Sequence, residues 1–143
     1  MSHNKITVGA LEVCDLPQLE ITKLHMRVDT GAQTSSLHVD NIEEFKKDGD
    51  LWVSFDIHPD VHNVATVVRR QAKVHDTRVV KSSSGNKEER HVIETQIVLG
   101  GQSWAIYLTL TDRSSMTYLM LLGRQAMQDR ILVDPSVEYL LGQ

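Results

Sequence analysis

Apolar and polar positions alternate with period two along several stretches of the chain. Leu51, Val53, Phe55 and Ile57 fall on one side, and Trp52, Ser54, Asp56 and His58 on the other. That alternation predicts a half-buried strand. The segment Asn63 to Val74 is rich in Val and Thr and also reads as extended, as does Glu89 to Leu99 around Val92-Ile93-Glu94-Thr95-Gln96-Ile97-Val98. Leu99-Gly100-Gly101-Gln102 predicts a tight turn, followed by a further strand over Ser103 to Thr111. Two short helices are expected: Ile42 to Lys47, capped by Asp40 or Asn41, and Arg124 to Gln128, after Gly123. The polar run Lys81 to Glu89 reads as an exposed hairpin tip, in which Gly85-Asn86 supply the positive φ angles of a turn. Only three prolines interrupt the chain, and no linker, low-complexity tract or repeat divides it. The expectation is one mainly β domain over residues 1–143, a closed or strongly curled antiparallel sheet with one or two short helices.

Composition narrows the function classes. With 24% charged and 41% hydrophobic residues, the chain resembles an ordinary globular protein. A formal net charge of -4 offers no general attraction to nucleic acid or to an anionic membrane. No run approaches the ~20 apolar residues of a membrane span, and the first ten residues contain no apolar signal-peptide core. Cys14 is the only cysteine, which excludes an intrachain disulfide and fits a reducing compartment. A cytoplasmic location is expected. Following Leu11-Glu12-Val13 in an apparent strand, Cys14 reads as a small buried hydrophobe.

Candidate chemistry begins at Leu24-His25-Met26-Arg27-Val28-Asp29-Thr30-Gly31-Ala32, a strand that runs into a turn. There an Asp can project from the strand end, a Thr hydroxyl can bond nearby backbone, and a Gly lets a ligand's backbone come close. Alone the tripeptide says little, because Asp and Gly are common in turns. A second segment, Leu119-Met120-Leu121-Leu122-Gly123-Arg124, is an apolar strand that ends in Gly and enters the second helix.

The two segments together resemble the retropepsin pattern, in which an apolar-apolar-Gly segment packs beside an Asp-Thr-Gly loop. The likeness narrows to a bacterial family of single-domain, retropepsin-like proteins often labelled ATP-dependent zinc proteases. It is carried by Val28 to His38, by Val80-Lys81-Ser82-Ser83-Ser84-Gly85, by Thr109-Leu110-Thr111-Asp112-Arg113 through Met116 to Gly123-Arg124, and by Val133-Asp134-Pro135. The resemblance implies a closed acid-protease barrel and a hydrolase, an aspartic endopeptidase with Asp29 as its catalytic carboxylate. It implies an active-site loop of Thr30, Gly31 and Ala32, and second-motif support from Leu121, Leu122, Gly123 and Arg124. Lys81, Ser82, Ser83, Ser84 and Gly85 correspond to a substrate-covering flap, with Arg113 and Met116 near the cleft wall. Some family members occur beside ATP-grasp ligases that add glutamate to proteins. Two positions depart from the pattern: Leu119 replaces a usual proline, and Gln33 replaces an arginine or, in retroviral enzymes, an aspartate that pairs with the second-motif arginine. Arg124 therefore needs another partner or faces water.

Aspartic peptidases need two carboxylates that share a proton, one acting as base on a water and the other as acid towards the scissile carbonyl. This chain carries one Asp-Thr-Gly, so a homodimer with Asp29 from each subunit at the axis is the economical expectation. Arg78, Lys81, Lys87 and Arg90 lie in or near the flap segment, and Arg69, Arg70, Lys73 and Arg113 are nearby in sequence. Such cations most often form a solvated face. The sharper expectation is a peptide or protein substrate that is acidic, even glutamate-rich. No metal and no cofactor are expected: His-Glu-x-x-His is absent, and Pro59 separates His58 from His62 with no glutamate between. A Gly-x-Ser-x-Gly elbow is absent too. The competing expectation is a catalytically silent peptide-binding or assembly module on the same fold.

Overall fold

The computed structural model describes residues 5–58, 67–81, 85–112 and 118–142, with backbone only at positions 80 and 81. Its strands are β1 (Ile6–Val8), β2 (Leu11–Leu16), β3 (Ile21–Val28), β4 (Ser35–His38), β5 (Asp40–Lys47), β6 (Asp50–Ile57), β7 (Val68–Lys81), β8 (Lys87–Leu99), β9 (Gln102–Thr111), β10 (Met120–Leu122) and β11 (Ile131–Val133). A single α-turn, α1 (Arg124–Met127), and a 3-10 turn at Pro17–Leu19 are the helical elements among the described residues. β1 and β11 form a small parallel pair. The other nine strands form one sheet in the order β2-β3-β10-β4-β9-β8-β7-β6-β5.

The sheet curls on itself. Asp15 of β2 pairs with Val98 of β8, so β2, β3, β10, β4, β9 and β8 close into a six-strand barrel. This is the mainly β, closed architecture expected of a retropepsin-like protein. Alternation explains which side chains fill it. Along β9, Trp104, Ile106, Leu108 and Leu110 turn inward while Ser103, Ala105 and Tyr107 face out. They meet Leu16, Leu24, Met26, Leu37, Ile93 and Ile97, all fully buried. Removing each such side chain from water contributes roughly 1.5–3 kcal/mol.

The expected strand over 51–57 is β6, with Val53, Phe55 and Ile57 buried. Beyond the barrel, β5, β6 and the first half of β7 continue as an antiparallel extension. The Leu99–Gln102 turn has both glycines at positive φ, 58° and 79°, the type I′ geometry that matches strand twist. Of Gly85 and Asn86, both expected at positive φ, Gly85 takes it, at 88°, and Asn86 does not.

A second expectation is overturned. Residues 42–47 form no helix; they belong to β5, which pairs with β6. Ile42 and Phe45 have helical spacing, but the chain turns back at Asp48 and Gly49, both at positive φ (54° and 83°), and so makes a hairpin. Phe45 then packs on Trp52 of β6 at 6.3 Å, with the Lys47 ammonium 4.5 Å from the same ring. Asn41, one of the two expected caps, sits at φ 53° beside the register shift between Asp40 and Glu43. The second expected helix is present as α1, held against β9 by a Trp104 Nε1–H bond of 2.9 Å to the Ala126 carbonyl.

Candidate active site

Asp29 follows the last residue of β3. β10 lies between β3 and β4, parallel to the first and antiparallel to the second, which brings residues 29 and 123 to one end of the barrel. Asp29 N–H donates to the Leu122 carbonyl at 2.9 Å, extending the β3–β10 ladder by one bond. The chain then turns sharply, with Ala32 N–H on the Asp29 carbonyl at 3.2 Å. Gly31 N–H donates to Asp29 Oδ1 at 2.9 Å, which fixes the half-buried carboxylate over its own loop. A Cβ at Gly31 would stand 3.2 Å from that same oxygen.

The second motif holds the loop from behind. Arg124 N–H donates to the Ala32 carbonyl at 2.8 Å, and Gln125 N–H to the Gln33 carbonyl at 3.0 Å. Arg124 Nη1 donates to the Thr30 carbonyl at 3.0 Å. With glutamine at position 33, the guanidinium thus grips the loop through backbone instead of a carboxylate. Gly123 is required by close approach: a Cβ there would lie 2.5 Å from the Thr34 carbonyl. Gly123 N–H donates to the buried Ser35 Oγ at 2.9 Å. Leu122 is buried and Leu121 half-buried, while Thr30, Gly31 and Arg124 are exposed and Ala32 is half-buried.

Sequence reasoning did not single out Ser35 as a site residue. Its signal was the alternation of Ser35 and Leu37 with Ser36 and His38, which marks Ser35 as inward-facing and in need of a partner. It missed Glu12 as well. This buried carboxylate on β2 accepts the Gly9 N–H at 2.8 Å and the Leu141 N–H at 3.2 Å, clasping the C-terminal segment to the barrel.

The segment proposed as a flap falls at the end of the β7–β8 pair. β7 and β8 pair as far as Lys81 and Lys87, so a hairpin arm ends at the expected place. Ser82, Ser83, Ser84, Arg113 and Met116, and the Lys81 side chain, lie outside the described residues. Several of the cations singled out above already have partners. Arg69 pairs with Asp56 at 2.8 Å, Lys73 with Asp50 at 3.3 Å, Arg78 with Asp76 at 3.5 Å and Arg90 with Glu88 at 3.1 Å. Arg70 Nε bonds the Leu19 carbonyl at 2.6 Å.

A catalytic zinc does not fit this site. Such an ion takes three protein ligands from imidazole, thiolate or carboxylate. The groups bonded to the Asp29 loop, among the described residues, are backbone amides and carbonyls, the Ser35 hydroxyl and Arg124. Cys14 is buried with its sulfur 3.8 Å from that of Met120, and burial, followed by the charge of Asp15, pushes the thiol up to about 12. His58 bonds Asp40 at 3.1 Å.

No helix among the described residues is long and apolar enough to cross a membrane. Comparison with known proteins gives matches of three kinds: relatives, a solved structure and a family. A probable alpha-L-glutamate ligase of Shewanella pealeana is 48% identical over 143 residues, all of this chain but 31% of that protein. One of Desulfotalea psychrophila is 48% identical over 139 residues, covering 97% of this chain and 30% of its own length. The chain thus spans about a third of the length of these relatives. The crystal structure of Lpg0085 from Legionella pneumophila, a protein of unknown function, superposes with a TM-score of 0.78 at 28% identity, covering 96% of this chain and 98% of that one. Residues 7–143 match the model of the RimB-like family, described as retropepsin-like aspartic endopeptidase RimB.

Proposed function

Because the chain belongs to the RimB-like family of retropepsin-like proteins, we propose that it is an aspartic endopeptidase whose site is completed by a second copy of itself. The observation that carries this reading is the Asp29 carboxylate, oriented by the Gly31 N–H on a loop that β10 and Arg124 brace. A binding module has no need of a carboxylate held in this way. In the dimer the two Asp29 groups share one proton, because like charges at hydrogen-bonding distance do not both ionise. The ionised member takes a proton from water, the water attacks the peptide carbonyl, and the protonated member donates to the carbonyl oxygen. The titration belongs to the pair. Thr30 bonds across the axis, Gly31 gives substrate backbone room, and the β7–β8 hairpin covers the bound peptide.

The substrate is a peptide or protein rich in glutamate, and the enzyme works in the cytoplasm. Support for the substrate class comes from relatives that carry a region like this chain inside proteins named glutamate ligases. Discrimination is assigned to Lys81, in the flap segment, and Arg113, before the second motif. Reversing their charges raises KM for acidic peptides and leaves neutral peptides unaffected; equal losses for both remove the glutamate preference.

Asp29→Asn is the deciding variant. It lowers peptide hydrolysis by at least about 10²-fold while sparing the fold and the dimer, as followed by circular dichroism and sedimentation. If wild-type protein cleaves no peptide between about pH 4 and pH 8, and Asp29→Asn binds partners normally, the fold serves as a peptide-binding module.

A further inference from the structure

Away from Asp29, three side chains with metal-ligating atoms converge. Glu44 lies on β5, and Glu89 and His91 lie on one face of β8. In the sheet order β6 and β7 separate these two strands, so no backbone ladder joins them. The curl of the sheet brings them together: His91 Nε2 is 2.6 Å from Glu44 Oε1. One ligand atom from each of the three residues lies within 4.8 Å of the others. Donors about 2.1 Å from a common centre are at most about 4.2 Å apart. Both glutamates are exposed and able to close that difference by side-chain rotation. His91, by contrast, is 12% exposed, and an ion bound here replaces the proton of its bond to Glu44, which passes to solvent. A cavity of about 430 Å³ opens beside the cluster, and Thr111 and Asp112 add oxygen atoms to its wall. Arg90 also lines it but is paired with Glu88.

We propose that Glu44, Glu89 and His91 bind one divalent cation at the base of the β7–β8 hairpin. One imidazole with two carboxylates suits borderline ions such as Zn²⁺, with Mn²⁺ weaker and Mg²⁺ weakest. Water, or Asp112 from the cavity wall, completes the coordination. The ion cross-braces the edge strand β5 to the hairpin strand β8, a link the hydrogen-bond ladder does not make. The site is independent of peptide hydrolysis and stands whether or not Asp29 is catalytic.

The test uses the full chain, freed of metal by a chelator, titrated calorimetrically with ZnCl2, MnCl2 and MgCl2. The expected result is one Zn²⁺ per chain, saturable below roughly 1 mM, with a rise in melting temperature and slower amide exchange in β5. Glu89→Gln and His91→Ala each weaken binding by about tenfold or more. Glu89→Gln is the safer variant, since His91→Ala also removes the bond to Glu44. His58→Ala, which breaks the separate His38–Asp40–His58 cluster, leaves Zn²⁺ affinity unchanged. Absence of saturable binding below that concentration overturns the proposal. So does binding that both Glu89→Gln and His91→Ala leave intact, or that only His58→Ala abolishes.

Discussion

Gly31 and Gly123 shape the candidate site for different reasons, and neither reason is a positive φ. At Gly31 a side chain would crowd the Asp29 carboxylate at 3.2 Å; at Gly123 it would collide with the Thr34 carbonyl at 2.5 Å. Gly123→Ala therefore forces β10 away from the loop, and it reduces hydrolysis more than it reduces thermal stability. Ser35→Ala leaves the buried Gly123 N–H without an acceptor, which costs about 1–3 kcal/mol; denaturant unfolding measures that loss. Glu12 acts at a distance from Asp29. Replacing this fully buried carboxylate by Ala orphans the buried Gly9 amide and frees the Leu141 amide of the C-terminal segment. A similar or larger loss is expected, with proteolysis beginning in the C-terminal segment 134–142. The Asp-Thr-Gly loop was legible from residue identity, because chemistry restricts which side chains serve there. Ser35 and Glu12 were not, since a buried polar residue declares its purpose only through the partner it meets.

Among the elements, the β5–β6–β7 extension shows how local spacing misleads. Ile42 and Phe45 stand three apart, as on a helix face, yet the Asp48-Gly49 turn commits the segment to a hairpin. A Cβ at Gly49 would meet nothing within 4 Å, so Gly49→Ala tests the backbone alone. The expected cost is about 1 kcal/mol from the positive φ, read as a lower unfolding midpoint with hydrolysis unchanged. Asp56 ties this extension together, accepting from Asn41 and from Arg69, each at 2.8 Å. The Asn41 bond and then the Arg69 bond hold its carboxyl below the ordinary 3.8. Its stabilising contribution is therefore present above that value and is lost as pH falls through the lower folded one. Asp56→Asn removes the acid sensitivity of the extension, which amide exchange followed against pH detects.

Across the whole molecule, closure of the barrel seals Cys14. Its thiol ionises near 12 in the folded chain against an ordinary 9.0, because burial disfavours the thiolate. A thiol reagent at neutral pH therefore reacts with unfolded chain only, at a rate set by opening. Above about pH 9 the unfolded chain loses this proton first, so stability falls as pH rises. Assembly operates at the same scale. If two Asp29 groups form one site, activity per chain declines on dilution below the dimer dissociation constant. A mixture of wild-type and Asp29→Asn chains then loses activity faster than the wild-type fraction alone accounts for.

The amino-acid sequence by itself determined the mainly β class, the strand over 51–57, the glycine turn at 100–101 and the pairing of an Asp-Thr-Gly loop with an apolar-Gly segment. The first three rest on period-two alternation, turn chemistry and residue identity, all of which are local; the pairing came from the resemblance to a known family. Tertiary structure decided what depends on strands far apart in the chain meeting. It closed β2 on β8, turned residues 42–47 into an edge strand, gave Arg124 a backbone carbonyl in place of a carboxylate, and set Glu44 against His91. Each is a contact between segments whose separation no local pattern encodes, fixed only when the sheet curls to bury its apolar face.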